Sequence, residues 1–162
     1  MDRIFHYPEK VLRNRIPDCQ LASSEIKSLA ARLIKVMERE AHGIGIAAPQ
    51  IGVAERVAIV DVSVRDSSSK RMLLVNPVIL EKKDPEIGRE GCMSVPDYTA
   101  LVSRFRWIRF QYQDENKKLH EKTSVGIEAI CVQHELDHLD GRLLIDVVRC
   151  LKTDLLPRRT SK

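Results

Sequence analysis

The sequence predicts a single α+β domain over residues 1–162, made mostly of antiparallel β-sheet with two helices. Three observations support this fold class. Near the N-terminus apolar residues recur at three- and four-residue steps, which is typical of an amphipathic helix. At 108–113 they alternate with polar residues, as in a strand with one wet face. Towards the C-terminus a segment that is apolar on more than one side contains "HELDH", which indicates a buried helix.

The composition is that of an ordinary globular protein. Of its 162 residues 43% are hydrophobic and 31% charged, and a chain of this length buries roughly two-thirds of its unfolded surface. No apolar run approaches the roughly 20 residues that cross a bilayer, and "MDRIFHYPEK" lacks the apolar core of a signal peptide. We therefore expect no membrane association and no secretion, which leaves the cytoplasm, or an organelle if a transit peptide has been removed.

The net charge and the cysteine spacing limit the binding partners and the cysteine chemistry that we expect. The net charge of +4 is modest, so we expect no sequence-specific nucleic-acid binding. The basic tail (Arg158, Arg159, Lys162) favours a solvated terminus over a weak ribosome contact. The four cysteines show no paired spacing and indicate reduced thiols or metal ligands rather than disulfides.

The first half of the chain predicts an irregular arm, one helix and three strands. Residues 1–17 contain two prolines and form the arm. Ser23 or Ser24 caps a helix that Gly43 ends, with an apolar face of Ile26, Leu29, Leu33, Met37 and Ala41. "VAIVDV" (57–62) is a buried strand, and "RMLLVNPVILEK" (71–82) gives two short strands separated at Asn76-Pro77, because proline disfavours a continuous ladder.

The second half predicts a hairpin and a second helix. The alternating strand at 108–113 is followed by the turn "QDENKK" and by a return strand at 119–122. Thr123 or Ser124 then begins the last helix, which Gly141 ends.

This last helix carries a candidate metal site. His134 and His138 lie one turn apart on one face, where two imidazoles can bind one ion, and Glu135 beside them can transfer a proton. The competing interpretation is a chance occurrence of H-E-x-x-H in a structural helix. The apolar flanks favour the metal site, because buried imidazoles and a buried carboxylate need partners.

The third ligand is expected to come from outside this helix. Cys131 faces the same way, but it lies seven residues from His138, about 10 Å along the axis. Bonds of about 2.1 to 2.3 Å to one ion hardly span that gap. The remaining candidates are His6, His42, His120, Cys19, Cys92 and Cys150. Cys92, in the glycine-marked "GREGCMSVP", is modestly favoured, although an isolated cysteine is often a small core residue.

A second glycine-containing segment, "HGIGIAAPQ" (42–50), follows the first helix. It lacks the G-x-G-x-x-G spacing and the strand-to-helix setting of a phosphate-binding loop. Its small residues permit close backbone approach, and a tight packed turn is the simpler explanation. Gln50 at its end can donate to an oxygen that becomes negative.

Together, three segments resemble the motifs of the peptide deformylase family. They are "GIGIAAPQ", "EGCMS" and "QHELDHLDG", in the family's order and spacing, and the similarity extends to about Val148. The resemblance implies antiparallel sheets around a central metal-bearing helix. It also implies hydrolysis of the formyl group of N-formyl-methionyl nascent peptides by a metal-bound hydroxide.

The resemblance also implies roles for individual residues. Cys92, His134 and His138 bind one divalent ion, typically Fe²⁺, with Zn²⁺, Ni²⁺ or Co²⁺ as substitutes. Glu135 is the general acid/base. Gln50 and the backbone N–H of Met93 form the oxyanion site, and Gly45 lies along the bound peptide.

Further residues are placed by their proximity to these motifs. A pocket for the methionine side chain is expected from Ile44, Ile127, Ile130 and Cys131, with ordinary core packing as the alternative. Glu90 and Arg104 are candidates for orienting the ligand loop.

The sequence departs from the family pattern at three positions. Ile46 and Met93 stand where leucine is common, and both keep apolar character. Thr99 stands where the family often has arginine or glycine. The last change affects the expected contacts to the peptide beyond methionine, and not the chemistry.

Two other functions compete with formyl-peptide hydrolysis. A zinc endopeptidase of the H-E-x-x-H type takes a third His or Glu ligand downstream, yet residues 142–162 contain neither. A non-catalytic metal-binding paralogue would need neither Glu135 nor Gln50, and both are present.

Overall fold

A computed structural model describes residues 2–158 and shows a six-stranded, entirely antiparallel sheet. The strands are ordered β1-β2-β3-β4-β5. The short strand β6 pairs with β4 near its start, whereas β5 pairs with the end of β4. They are β1 (Gly45–Ala47), β2 (Val57–Val60), β3 (Met72–Cys92), β4 (Val95–Gln113), β5 (Leu119–Val125) and β6 (Leu155–Pro157). The helices are α1 (Ser23–Met37), α2 (Gly126–Leu139), α3 (Leu144–Val147) and α4 (Leu151–Asp154), with 3₁₀ turns at Lys10–Arg13 and Ala48–Ile51. The predicted α+β class is confirmed.

Helix α1 is shorter than its sequence pattern predicts. Its N-cap is Ala22, whose backbone N–H donates to the Glu25 carboxylate at 2.8 Å. The helix ends at Met37, and the segment up to Gly43 forms turns. The predicted end at Gly43 is therefore wrong. Of the predicted apolar face, four residues are buried and Ala41 is exposed, because it follows the helix.

Strands β3 and β4 form one long hairpin, so the predicted division at Asn76-Pro77 is also wrong. The strand continues through the proline because the register shifts between Val75 and Val78. Asn76 accommodates this irregularity with a φ of 50°, a conformation that asparagine adopts more readily than most residues. Its side-chain amide is held by the backbone of Cys19, at 2.7 Å to the N–H and 3.3 Å to the carbonyl.

Helix α2 is central, as expected. It packs against β1, β2, β4 and β5, which explains why nine of its fourteen residues are buried. It begins at Gly126 and not at Thr123 or Ser124, because both of those residues belong to β5. It ends at Leu139, and Gly141 follows with a φ of 72°, which is the glycine stop that the sequence predicts.

Within residues 2–158, no helix combines the length and the apolar character needed to span a membrane.

Candidate metal centre

Three side chains that could bind a metal ion meet where the end of β3 approaches α2. Cys92 is the last residue of β3, while His134 and His138 come from α2. One donor atom from each lies within 4.8 Å of the others. Cys92 Sγ is 3.2 Å from His138 Nε2, a separation that two ligands bonded at about 2.0 to 2.3 Å to one ion can have. Among residues 2–158 no other group of three such side chains is found.

Cys131 lies beside this cluster but not in it. Its thiol donates to the Ile44 carbonyl oxygen at 3.3 Å. Burial raises the pKa of the Cys131 thiol, and the nearby Glu135 carboxylate raises it further. A protonated thiol is a poor metal ligand, so the structure supports the helix-geometry argument that places the third ligand elsewhere.

The donor set fits a divalent transition metal. Burial alone would raise the pKa of the Cys92 thiol, but His138 and His134 outweigh it and lower that pKa well below its usual value. Cys92 is 3% exposed and His138 is 2% exposed. A buried thiolate between two imidazoles is a ligand set that Zn²⁺, Fe²⁺ and related ions accept.

A chain of ion pairs connects His134, one of the candidate ligands, to Glu90, Arg104 and Asp137. His134 Nδ1 donates to Glu90 Oε2 at 2.9 Å, which directs Nε2 of this ring to the cluster. Arg104 donates to Glu90 at 2.8 and 3.1 Å and to Asp137 at 2.5 Å. Burial would raise the pKa of Glu90, but the bonds from His134 and Arg104 lower it to about 2. The expected placement of Glu90 and Arg104 next to the ligands is thus observed.

Glu135 is a buried carboxylate with a free oxygen. It is 3% exposed, and within residues 2–158 its Oε2 has no hydrogen-bond partner. Burial raises the pKa of Glu135 to about 7, against the opposing charges of His134 and His138. Gly45 of β1 runs over this carboxylate, because a Cβ at position 45 would lie 2.9 Å from Glu135 Cδ and 2.7 Å from Cys131 Sγ.

The oxygen and the nitrogen of the Gln50 side-chain amide both form hydrogen bonds. Its Oε1 accepts from the Ala47 N–H at 2.9 Å, and its Nε2 donates to Ser94 Oγ at 3.1 Å. The same nitrogen lies 3.9 Å from Cys92 Sγ, so the amide N–H faces the cluster. Ser94 is a contact of Gln50 that the sequence patterns did not predict, although it lies within "EGCMS".

The remaining expected residues lie in three elements of the fold. Met93 directly follows the candidate ligand Cys92 in the β3–β4 turn and is half-buried. Ile44 and Ile127 pack against the apolar cluster that includes Cys131. Ile130 is half-buried on α2 and is not part of that cluster. Asp137, which anchors Arg104, was also missed, although it lies between the two histidines of "HELDH".

Comparisons with known proteins give one consistent result. A family model described as polypeptide deformylase matches residues 1–154. A peptide deformylase of Alkalilimnicola ehrlichii is 36% identical over 98% of this chain and 88% of its own length. One from Bartonella tribocorum is 37% identical over 96% of this chain and 88% of its own length.

Solved structures show the same similarity. The peptide deformylase of Thermotoga maritima superimposes with a TM-score of 0.85 and 32% identity, covering 93% of this chain and 99% of that one. A class I type b peptide deformylase from Acinetobacter baumannii, bound to Met-Ala-Ser, has a TM-score of 0.83 at 30% identity, covering 91% and 98%.

Proposed function

The chain belongs to the peptide deformylase family, and from that premise we propose that it removes the N-formyl group from N-terminal formyl-methionine of nascent polypeptides. The family is metal-dependent, and its activity is hydrolysis of a formamide C–N bond. The observation that carries the proposal is the Cys92, His134 and His138 cluster beside a buried Glu135 whose second carboxylate oxygen has no partner within residues 2–158.

Cys92, His134 and His138 would hold one divalent ion, and we propose Fe²⁺, with Zn²⁺, Ni²⁺ or Co²⁺ as substitutes. The lowered pKa of the Cys92 thiol supports this proposal, because thiolate is the form that binds metal. When bound, such an ion polarises a carbonyl oxygen and lowers the pKa of water.

The side chains of this site are suited to the proton transfers. Glu135 would accept a proton from the attacking water and return it to the leaving amine. A pKa near 7 is suited to both steps at neutral pH. Gln50 Nε2–H and the Met93 backbone N–H would donate to the oxyanion. The bonds of Gln50 to Ala47 and Ser94 hold its amide in place before substrate arrives.

The substrate would lie between β1 and the β3–β4 turn. Gly45 would run along its backbone, and Ile44, Ile127, Ile130 and Cys131 would surround the methionine side chain. The close approach of Gly45 to Cys131 and Glu135 supports this arrangement. The Acinetobacter baumannii relative was solved with Met-Ala-Ser, which has the sequence of a deformylated tripeptide product.

We further propose that residues 1–162 act as one catalytic domain, which the family match over residues 1–154 supports. The substrate arises where translation starts with formyl-methionine, so the site of action would be a bacterial cytoplasm or an organelle. A weak ribosome contact would use the basic tail, of which Arg159 and Lys162 lie outside the described residues.

The test is anaerobic turnover of formyl-Met-Ala-Ser by the iron-loaded protein, beside Glu135→Ala. Wild type is expected to release formate, and the variant is not. Equal rates would disprove the proposal. Cleavage of casein by the wild type, with formyl-Met-Ala-Ser left intact, would instead identify an endopeptidase.

A further inference from the structure

Arg158 places a guanidinium group next to the ligand-bearing end of β3. Its backbone N–H donates to the Asp97 carbonyl oxygen at 2.8 Å. This bond extends the pairing of β6 with β4, in which Leu156 faces Thr99. The guanidinium carbon lies 3.4 Å from the position that a Cβ on Gly91 would occupy. Gly91 directly precedes Cys92, so this positive charge lies one residue from a proposed metal ligand.

The two faces of the hairpin differ at this point. Ala100 and Arg104 of β4 are buried on the inner face. The half-buried Glu90 pairs with Ala100 and lies on the same face. Gly91 pairs with Thr99 on the outer face. Because side chains alternate along a strand, Arg158 lies on this outer face, across Thr99 and Gly91. The glycine makes room for it, since any side chain at position 91 would displace the guanidinium.

Arg158 is available for a ligand. Its side chain is exposed, and it takes part in none of the ion pairs found within residues 2–158. Arg104 and Arg106 of the same hairpin both have carboxylate partners. Arg89 is exposed and, like Arg158, takes part in none of the ion pairs found within residues 2–158, but only Arg158 places its guanidinium over Gly91.

The geometry of the turn determines where a bound peptide can continue. A formyl group next to the Met93 N–H has the buried Ser94 and Val95 on one side. On the other side of Met93, the protein backbone of β3 runs back through Gly91 to the exposed Arg89. Because Gly91 and Arg89 are exposed whereas Ser94 and Val95 are buried, the residues after methionine would leave along Gly91. Strand geometry gives about 3.3 Å per residue, so the third residue of the substrate would reach Gly91 and Arg158.

We propose that Arg158 is a specificity-determining residue that binds a carboxylate at about the third position of the substrate, either an acidic side chain or the C-terminus of a short peptide. The proposal rests on the proposed deformylase function. Arg158 supplies a cation beside Thr99, the position where the sequence departs from the family's frequent arginine.

The experiment compares formyl-Met-Ala-Ser, which ends in a carboxylate at the third residue, with its C-terminal amide. Wild type should favour the acid in kcat/KM by about two- to five-fold, the range of an exposed ion pair. Arg158→Gln should remove most of this preference, mainly through KM, because the contact is equally present in substrate and transition state. Arg158→Lys should retain part of it, and added salt should weaken it in wild type.

A matched control is Lys27→Gln, which removes the same charge from the exposed face of α1. That helix packs against β1, β2 and the Ala48–Ile51 turn, away from Arg158, so the preference should remain. Binding of Met-Ala-Ser and of its amide, measured by calorimetry, provides a readout that needs no turnover.

The outcomes separate the two proposals. If wild type hydrolyses both peptides equally, or if Arg158→Gln keeps the preference, the role of Arg158 is overturned and the deformylase function stands. If nothing is hydrolysed but wild type binds the acid more tightly and Arg158→Gln does not, the deformylase function fails and the carboxylate site stands. If the wild type shows neither turnover nor a preference for binding the acid, both proposals are overturned.

Discussion

Helix α2 buries two glutamates seven residues apart, and they have opposite environments. Glu128, in the first turn, accepts from Ser124 at 2.5 Å, from Lys122 at 2.7 Å, and from Ser69. Glu135 has no partner for Oε2 within residues 2–158. Burial tends to raise the pKa of both carboxyls. The partners of Glu128 outweigh burial and lower its pKa, whereas the pKa of Glu135 rises to about 7.

The difference shows how burial can serve either stability or chemistry. A buried carboxylate with several donors stabilises the fold and is inert, because its charge is already neutralised. A buried carboxylate that lacks donors destabilises the fold slightly and exchanges protons near neutral pH. The burial of the two residues is similar, at 7% and 3% exposure, so the hydrogen-bond partners make the distinction.

The largest effect should follow from Glu135→Gln. The amide cannot carry the proton, so kcat should fall by about 10²- to 10⁴-fold. The free energy of unfolding should not fall, because no partner of Oε2 is lost. Formate release and thermal unfolding of the same metal-loaded sample measure both quantities. A large loss of stability with activity preserved would reverse the roles assigned to the two glutamates.

Glu90→Gln should weaken the metal site without touching either glutamate of α2. The bond from His134 would lose its charged acceptor and Arg104 its bidentate partner. Metal affinity should fall by about 10- to 100-fold, measured by competition with a chelator. Glu86→Gln is the control on the same strand, since its ion pair with Arg106 is exposed. Equal affinities for wild type and Glu90→Gln would remove the supporting role of this carboxylate.

Glu128→Gln should produce the opposite result from Glu135→Gln. It removes the charged partner of Lys122 and one acceptor site for the two serines, so unfolding should become easier by about 1 to 3 kcal/mol. Turnover should be unaffected. Urea denaturation is the measurement, with the exposed Glu121→Gln as control, for which about 0.2 to 1 kcal/mol is expected. A variant as stable as wild type would show that the network around Glu128 contributes nothing.

The smallest effect concerns pH. The pKa of Glu128 in the folded state is lowered from 4.5, so the unfolded chain binds this proton more readily. Its stabilising contribution is therefore complete above pH 4.5 and is lost as the pH falls through the folded-state pKa. The stability difference between wild type and Glu128→Gln should shrink below pH 4.5. A difference that stays constant from pH 7 to pH 3 would contradict this assignment.

The parts of the fold that the sequence predicts well are those with a side-chain period. Helix α2 and the last third of β4 are recognisable because burial selects apolar residues at regular steps. The outer half of β3 has no such pattern, since "EKKDPEIGRE" (81–90) is mostly exposed. Backbone hydrogen bonds to β4 hold it in place, and these are available to any residue except proline.

The site shows the same limit. Local spacing predicts His134 and His138 as metal ligands, and the family resemblance predicts Cys92. Ser94 and Asp137 become visible only through their contacts. The position of Arg158 over Gly91 depends on β6 pairing with β4. A contact between residues so distant in sequence leaves no local pattern.

The β3–β4 hairpin also has a consequence for how the protein folds. Its closest pair in sequence, Cys92 with Val95, lies at the turn, and the later pairs extend from there towards Val75 and Gln113. Closing the shortest loop requires the least chain entropy, so we expect the hairpin to zip from this turn. The cysteine would then be in place before α2, more than thirty residues later in the chain, docks its histidines. Nascent chains would acquire metal affinity late, as the final step of tertiary assembly.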